Sequence, residues 1–500
     1  MLALVLALGA AAAGAAGVAA YRLLLSPLRR IPGWAPYRLT ALASQLRALA
    51  GLLADDCEAD YYAYGDIYVA GPGVVVISNP DDCCAVLATH RFAKSDFYQA
   101  FALVADNIYT TRSAALASAR RRQLRHTLAP ARLAALEHAI LDAGVGALVA
   151  RWDALIAGRG AGAAVRVQYE AALMDAAVDV IAALVYGRPS DDVGGRAQVV
   201  QWIHDFNRLA LVSLIVPWAQ RAPFSALIAR LLASRDAFVA SVARAVAQRR
   251  ALPAAQRPAD ILQALVDAAD AGPAGMMTPT QVISEAIAIV IAGSDIVAQT
   301  LVWTLHYLML HPAAYARAVA EVRRAFPHTR RIAYAEARAR LPYVEACIYE
   351  AMRIRAATGV FLPRVVPPGG AEFQGHRLPP GTHVCVNVAG ANHHRATWHE
   401  PWRFAPERFL GDERAKARIL TFSSGARLCP GRALALCEML PALACLLRCY
   451  DFALPPDARF HPANVDARGA PIPMPRAHRF TCVGPRHPDR DCQVLIRPAA

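Results

Sequence analysis

The chain has 500 residues, more than the usual size of one domain, yet no Gly/Ser-rich linker, composition break or repeat divides it after about residue 45, which argues against a string of modules. Its net charge of +14 comes almost wholly from arginine, Lys94 and Lys416 being the only lysines. No zinc-finger spacing, aromatic-basic sheet motif or basic coiled-coil arm accompanies that charge, so nucleic acid is not the expected partner.

In chain order, Met1 to Tyr21 comes first, without a charged side chain. As a helix it spans about 31 Å, close to the thickness of a bilayer core. Leu2 to Leu8 is strongly apolar, whereas Gly9 to Ala20 is mostly alanine and glycine, so a transmembrane anchor and a cleaved signal both fit. Arg22, Arg29 and Arg30 follow, and by the positive-inside rule they keep the body of an anchored chain in the cytosol. The 11 cysteines are odd in number and lack zinc spacing. A secreted chain would expose such thiols to oxidation, which favours the anchor. The expected organisation is an anchor over 1–21, a basic, proline-rich hinge over 22–45 and one large domain over 46–500.

That domain reads as mainly α with small β-sheets. Ile67-Tyr68-Val69, Val74 to Ile77 and Thr382 to Val388 are β-branched enough for strands, and Gly71-Pro72-Gly73, Pro368 to Gly370 and Pro379-Pro380-Gly381 punctuate them as turns. Arg120, Arg121, Arg122 and Arg125 form a basic stretch before Ala129-Pro130, with Arg121 and Arg125 spaced to face one way on a helix. Val200 to Pro253 is helical and otherwise unspecific. Thr278 and Gln281 make a capping box, Pro279 takes the first helical position, and His311-Pro312 stops a helix whose apolar residues continue for about seven turns, apolar all round and therefore a core helix. Within it, Gly293 in Ala292-Gly293-Ser294-Asp295 costs roughly 1 kcal/mol relative to alanine, so something is expected to approach the backbone there. Glu350 and Arg353 share one helix face over Tyr343 to Arg355. In Phe422-Ser423-Ser424-Gly425-Ala426-Arg427-Leu428-Cys429-Pro430-Gly431, Cys429 sits ahead of a helix expected to open at Pro430. The positive end of such a helix lowers a thiol's pKa, and Gly425 and Gly431 let backbone lie close to a flat ring.

The pattern F-x-x-G-x-R-x-C-x-G, with all its fixed residues in place, resembles the haem-binding signature of the cytochrome P450 family. The order of Glu350-x-x-Arg353, Leu362-Pro363-Arg364 and Pro406-Glu407-Arg408-Phe409 before Cys429 is also similar to that family, as is Ala292-Gly293-Ser294-Asp295, which resembles its oxygen-binding kink. The likeness runs from about residue 22 to the C-terminus, is strongest from Thr278 to Leu440, and favours the eukaryotic microsomal and fungal members.

The resemblance implies the P450 fold, haem b with Cys429 as its axial thiolate, and a buried charge triad of Glu350, Arg353 and Arg408. It also implies a cover over the sulfur from Phe422, and propionate contacts from Arg427, Arg364 and either Arg121 or Arg125. The expected Trp or His four residues before Arg121 is Ala117. Gly293, Ser294 and Asp295 would shape oxygen binding and proton delivery, but the threonine usual after them is replaced by Ile296. The implied activity is hydroxylation or epoxidation of an apolar small molecule, plausible for secondary metabolism. Two electrons would come from NADPH through cytochrome P450 reductase, with cytochrome b5 as a further donor, at the endoplasmic reticulum membrane. Two alternatives stay open: coupling, rearrangement or dehydration on the same fold without the usual threonine, and a non-catalytic haem sensor or carrier. By analogy the pocket draws on Phe97 to Phe101, Ile289 to Val297 and Val360-Phe361.

Overall fold

The computed structural model describes residues 1–160, 163–187, 195–270, 277–359, 361–478 and 482–499, without the side chains of 2–9 and 126. The pocket residue Val360 lies outside the described residues.

The central helix, Pro279–Leu310, organises the molecule. Its start is the expected capping box: Thr278 Oγ1 accepts the Gln281 N–H at 3.2 Å, and Gln281 Oε1 accepts the Thr278 N–H at 2.9 Å. From Val297 to Leu310 every residue is buried, because this part runs through the core with apolar partners on all sides. It packs chiefly against the helix Tyr169–Tyr186 and also against Pro342–Ile354 and Arg432–Cys449. The three expected strands join two not expected, Phe361–Val365 and Ala93–Lys94, in one sheet of order Ile67–Gly71, Val74–Ile77, His383–Asn387, Phe361–Val365 and Ala93–Lys94. Val74–Ile77 runs parallel to His383–Asn387 while the other neighbours are antiparallel, and Lys94 stands directly opposite Arg364. A three-stranded sheet and two hairpins complete the β structure.

Two local expectations change. The helix after the cysteine begins at Arg432 with Gly431 as its N-cap, so Pro430 belongs to the preceding turn and not to the first helical position. Val200 to Pro253 is two helices, Arg196–Ile215 and Ala229–Ala251, with 216–228 between them outside α-helix.

At the N-terminus Leu2–Ala20 is helical and continues as a π turn, Tyr21–Leu25. From Ala10 onward most of this segment is exposed, as are Leu23, Leu24 and Leu25. Two other stretches, Pro130–Ala157 and Pro279–Leu310, are long and apolar enough to span a bilayer, but the second is the core helix just described.

Candidate functional site

Cys429 is presented by a tight loop. Its N–H donates to the Phe422 carbonyl at 2.7 Å, closing the loop on itself, and Gly425 within it takes φ +53°. A Cβ at Gly425 would lie 2.5 Å from Ala88 Cα, so this glycine lets the loop rest on the helix Pro80–Ala88. The sequence reading had assigned that closeness to a flat ring; the neighbour is protein backbone. A Cβ at Gly431 would meet only Cys429 Sγ, at 3.9 Å.

Backbone N–H groups of Gly431 and Arg432 hydrogen-bond the Cys429 sulfur, and Arg121 adds positive charge. These pull the thiol downward as expected of a helix start, but burial, the largest influence, pushes it up. A metal cation facing the sulfur reverses that balance, because a coordinating thiol is deprotonated. Phe422 is partly buried and lies under the Arg432 guanidinium, 5.6 Å from its ring centroid.

To one side of the loop is a cluster of cations. Arg364 is buried at 2% exposure and donates to the Tyr98 hydroxyl at 2.6 Å. Lys94, at 6%, donates to the carbonyls of Ile108 at 3.1 Å and Tyr109 at 2.6 Å. Burial and then the charges of Arg364, Arg427 and Arg121 push its ammonium well below the usual lysine range. Arg427 is pushed down to about 10 by burial first and then by Arg364, with Arg121 contributing. His90 is lowered by burial and by Arg427, Arg121 and Lys94. Arg121 therefore faces this cluster and the thiol, whereas Arg125, one turn on, is exposed. Ala117 is buried beneath the same helix, Ala114–Thr127.

Like charges placed opposite each other on paired strands repel, and a buried cation without a counter-ion is costly. The buried Nε atoms of Arg364 and Arg427 have no hydrogen-bond partner among the described residues. The cluster thus fits a dianionic ligand whose flat body reaches Cys429, which is what a haem with two propionates offers. Lys94 and Tyr98 were not foreseen as part of it. The available signal was a lysine in an arginine-rich chain, placed among the aromatics Phe92, Phe97 and Tyr98.

The central helix closes the other side. Ala292 is exposed and Gly293 and Ile296 are partly buried, although Ile291, Ser294, Asp295 and Val297 around them are buried, so this face borders open space. A Cβ at Gly293 would fall 2.4 Å from Ile181 Cδ1, so what approaches the backbone is a side chain of the helix Tyr169–Tyr186. Ser294 and Asp295 are fully buried, and the Asp295 carbonyl accepts from the Cys482 thiol at 3.5 Å. The Ser294 hydroxyl has no partner among the described residues. Thr300, the next threonine along the helix, donates its hydroxyl to the Ile296 carbonyl at 2.8 Å.

Behind the loop, Arg353 clasps Glu350 through two bonds, Nε to Oε2 at 2.7 Å and Nη2 to Oε1 at 2.8 Å, and both side chains are wholly buried. Arg408 Nε reaches Glu350 Oε1 at 3.3 Å. The remaining donors of Arg353 go to the carbonyls of Asn392, Pro401 and Arg403, and the Ala405 N–H donates to Glu350. Every charge there is paired, as burial requires.

The family model for cytochrome P450 matches residues 32–475 of this chain. The chain belongs to the cytochrome P450 family. Similar curated proteins include the cytochrome P450 monooxygenases helB2 and helB1 of Aspergillus fumigatus. The first is 39% identical over 95% of this chain and 95% of its own length; the second is 36% identical over 96% and 84%. Among solved structures, the haem domain of cytochrome P450DA superposes with TM-score 0.73 at 19% identity, covering 91% of this chain and 95% of that one. A zebra fish cytochrome P450 with abiraterone gives TM-score 0.68 at 23%, covering 89% and 100%. This P450 is thus a haem-thiolate monooxygenase on a mainly helical fold with small sheets.

A cavity of about 450 Å³ is lined by Asp96, Phe97, Gln99, Leu103, Leu209 and Arg235 among others, and no residue of the central helix borders it. Phe101 is buried, with its ring tilted against Phe206 at 6.1 Å between centroids, so it belongs to the packing under the helix Arg196–Ile215.

Proposed function

We propose that this P450 is a membrane-anchored monooxygenase that hydroxylates or epoxidises an apolar small molecule in secondary metabolism. Its catalytic domain would be cytosolic at the endoplasmic reticulum, with NADPH–cytochrome P450 reductase, and cytochrome b5 as a further donor, supplying electrons. Cys429 would hold the haem, and Arg121, Arg364, Arg427 and Lys94 would hold its propionates. The observation that carries the apolar substrate is the open face of the central helix, where Ala292, Gly293 and Ile296 offer no side chain that hydrogen-bonds or carries charge. A substrate held there is oriented by shape and by exclusion of water.

The haem, when bound, supplies activation of dioxygen with two electrons. The residues of this chain do the rest. Arg121 and the N–H groups of Gly431 and Arg432 stabilise the thiolate, and the cation cluster neutralises the propionates. Ser294 and Asp295, buried on the same helix between the open-face residues, would pass protons toward that face. The basic surface would steer an acidic electron donor to the cysteine side.

The names of the fungal relatives support a monooxygenase, and the N-terminal apolar helix supports an anchor. The ligand assignment is tested by the reduced carbon monoxide spectrum, in which the red-shifted Soret band of a thiolate-ligated haem should disappear in Cys429→His. An unchanged band removes Cys429 from the iron. The substrate class is tested by comparing metabolites with and without the gene. Accumulation of a product precursor that is strongly polar throughout, and not an apolar one, overturns it.

A second reading, coupling, rearrangement or dehydration without the usual proton relay, is favoured by one observation. Ile296 carries no hydroxyl, and Thr300 uses its own on the Ile296 carbonyl. Oxygen consumption without oxygen incorporation into product would select it.

A further inference from the structure

Residues 105–111 form a loop held from two sides. On the side of the central helix, Glu285 accepts the Ile108 N–H at 2.9 Å and meets Arg120 Nε at 3.2 Å. Its neighbour Ser284 donates its hydroxyl to the Ala105 carbonyl at 2.6 Å and lies 3.4 Å from Asn107 Nδ2. On the other side, Lys94 Nζ donates to the carbonyls of Ile108 and Tyr109. The Tyr109 ring meets Tyr98 edge-on at 5.4 Å, and Tyr98 accepts from Arg364.

Glu285 and Arg120 are wholly buried, and burial pushes the Glu285 carboxyl up to about 7 despite Arg120 beside it. A carboxylate in such a place is costly unless its contacts are specific. Lys94 has the opposite difficulty, since burial and the charges of Arg364, Arg427 and Arg121 disfavour its ammonium, with Glu285 the carboxylate that opposes them. The two carbonyls of the loop and the Tyr98 and Tyr109 rings turn it toward the cradle, and Glu285 holds the N–H of Ile108, the residue that bears one of those carbonyls.

We propose that Glu285 is a positioning residue for the haem propionates, acting through Ile108 and Lys94 without touching the cofactor. This rests on the haem site read above. When the loop is anchored, the carbonyls of Ile108 and Tyr109 hold the Lys94 ammonium beside Arg364. When the anchor is lost, Lys94 is free to turn away from the other cations, and the propionates lose one counter-charge.

The test is the rate at which the ferric holoenzyme gives up haem to an excess of a haem-scavenging apoprotein at pH 8. Wild type, Glu285→Ala, Lys94→Met and the double variant are each loaded with haem or with haem dimethyl ester, whose propionates carry no charge. With haem, each single variant should lose cofactor about ten-fold faster, the scale of one lost charged hydrogen bond. The double variant should be no faster than the faster single one. Esterification should accelerate loss strongly in wild type and much less in Glu285→Ala. Wild-type retention in Glu285→Ala, multiplying effects in the double variant, or an undiminished ester effect would each overturn the proposal, leaving Glu285 with a packing role. If Glu285→Ala fails to load haem, Glu285→Leu decides by the same ester comparison, because it fills much of the space but offers Ile108 no acceptor. The Soret band of the reduced carbon monoxide complex should stay thiolate-type in every variant, which separates this failure from a wrong assignment of Cys429.

Discussion

Ile296 stands at the position where the family usually has a hydroxyl, and its half-buried side chain offers the open face only hydrocarbon. Protons must then arrive from Ser294, Asp295, ordered water or the substrate itself. A water substitutes for a side chain only where polar groups hold it, and Asp295 is the nearest acid in the sequence. Asp295→Asn is therefore expected to reduce turnover more than Ser294→Ala does. Ile296→Thr should lower the hydrogen peroxide released per oxygen consumed when the substrate has no polar group of its own. If wild type already couples tightly with such a substrate, and Asp295→Asn leaves it so, protons do not travel through this acid. Burial is what makes these residues sensitive: Ser294 and Asp295 are both at 0% exposure, where bulk water does not replace a lost group.

At the scale of elements, the cysteine loop and the helix Pro80–Ala88 touch at Gly425 more closely than any side chain allows. Gly425→Ala adds left-handed strain of roughly 1–2 kcal/mol to overpacking of about 1–3 kcal/mol, since the atom in the way is backbone. The expected result is a loss of about 2–5 kcal/mol in chemical denaturation together with poor haem loading. Gly431→Ala is the control, because its added Cβ meets only Cys429 Sγ at ordinary contact distance. Equal stability of the two variants would show that the loop does not rest on that helix. Gly293 follows the same logic between two helices. The close partner is Ile181, so its absence of a side chain serves helix packing as well as the open face.

At the scale of the molecule, the Glu350–Arg353 clasp ties the helix Pro342–Ile354 to the segment containing Pro401, Arg403 and Arg408, which precedes the cysteine loop. Removing one member leaves the other charge buried and unpaired, at about 3–5 kcal/mol. Either Glu350→Ala or Arg353→Ala should yield little haem-loaded protein and a lower melting temperature. Normal haem content and melting in both variants would make the clasp superficial. The N-terminal helix belongs to this scale too, since it is apolar and largely exposed from Ala10 onward. Deleting residues 1–21 should move the protein from the membrane fraction toward the soluble one. A mature N-terminus found near Tyr21 would instead show a cleaved signal.

The cysteine loop, the Glu350–Arg353 pair and the capped central helix could be read directly, because each packs its chemistry into one contiguous segment whose spacing already sets its geometry. The choice between Arg121 and Arg125 could not, since helical spacing puts both on one side and only the packed neighbours separate the partly buried cation from the exposed one. Lys94 and Arg364 become neighbours through antiparallel strand pairing, and Glu285 meets Ile108 and Arg120 through the docking of a loop and a helix on the central helix. The sequence by itself determined the fold class, the cysteine loop and the charge clasp, all carried by local pattern. Tertiary structure alone decided which cations converge and why Gly425 and Gly293 lack side chains, because those depend on distances between segments far apart in the chain, which no local spacing encodes.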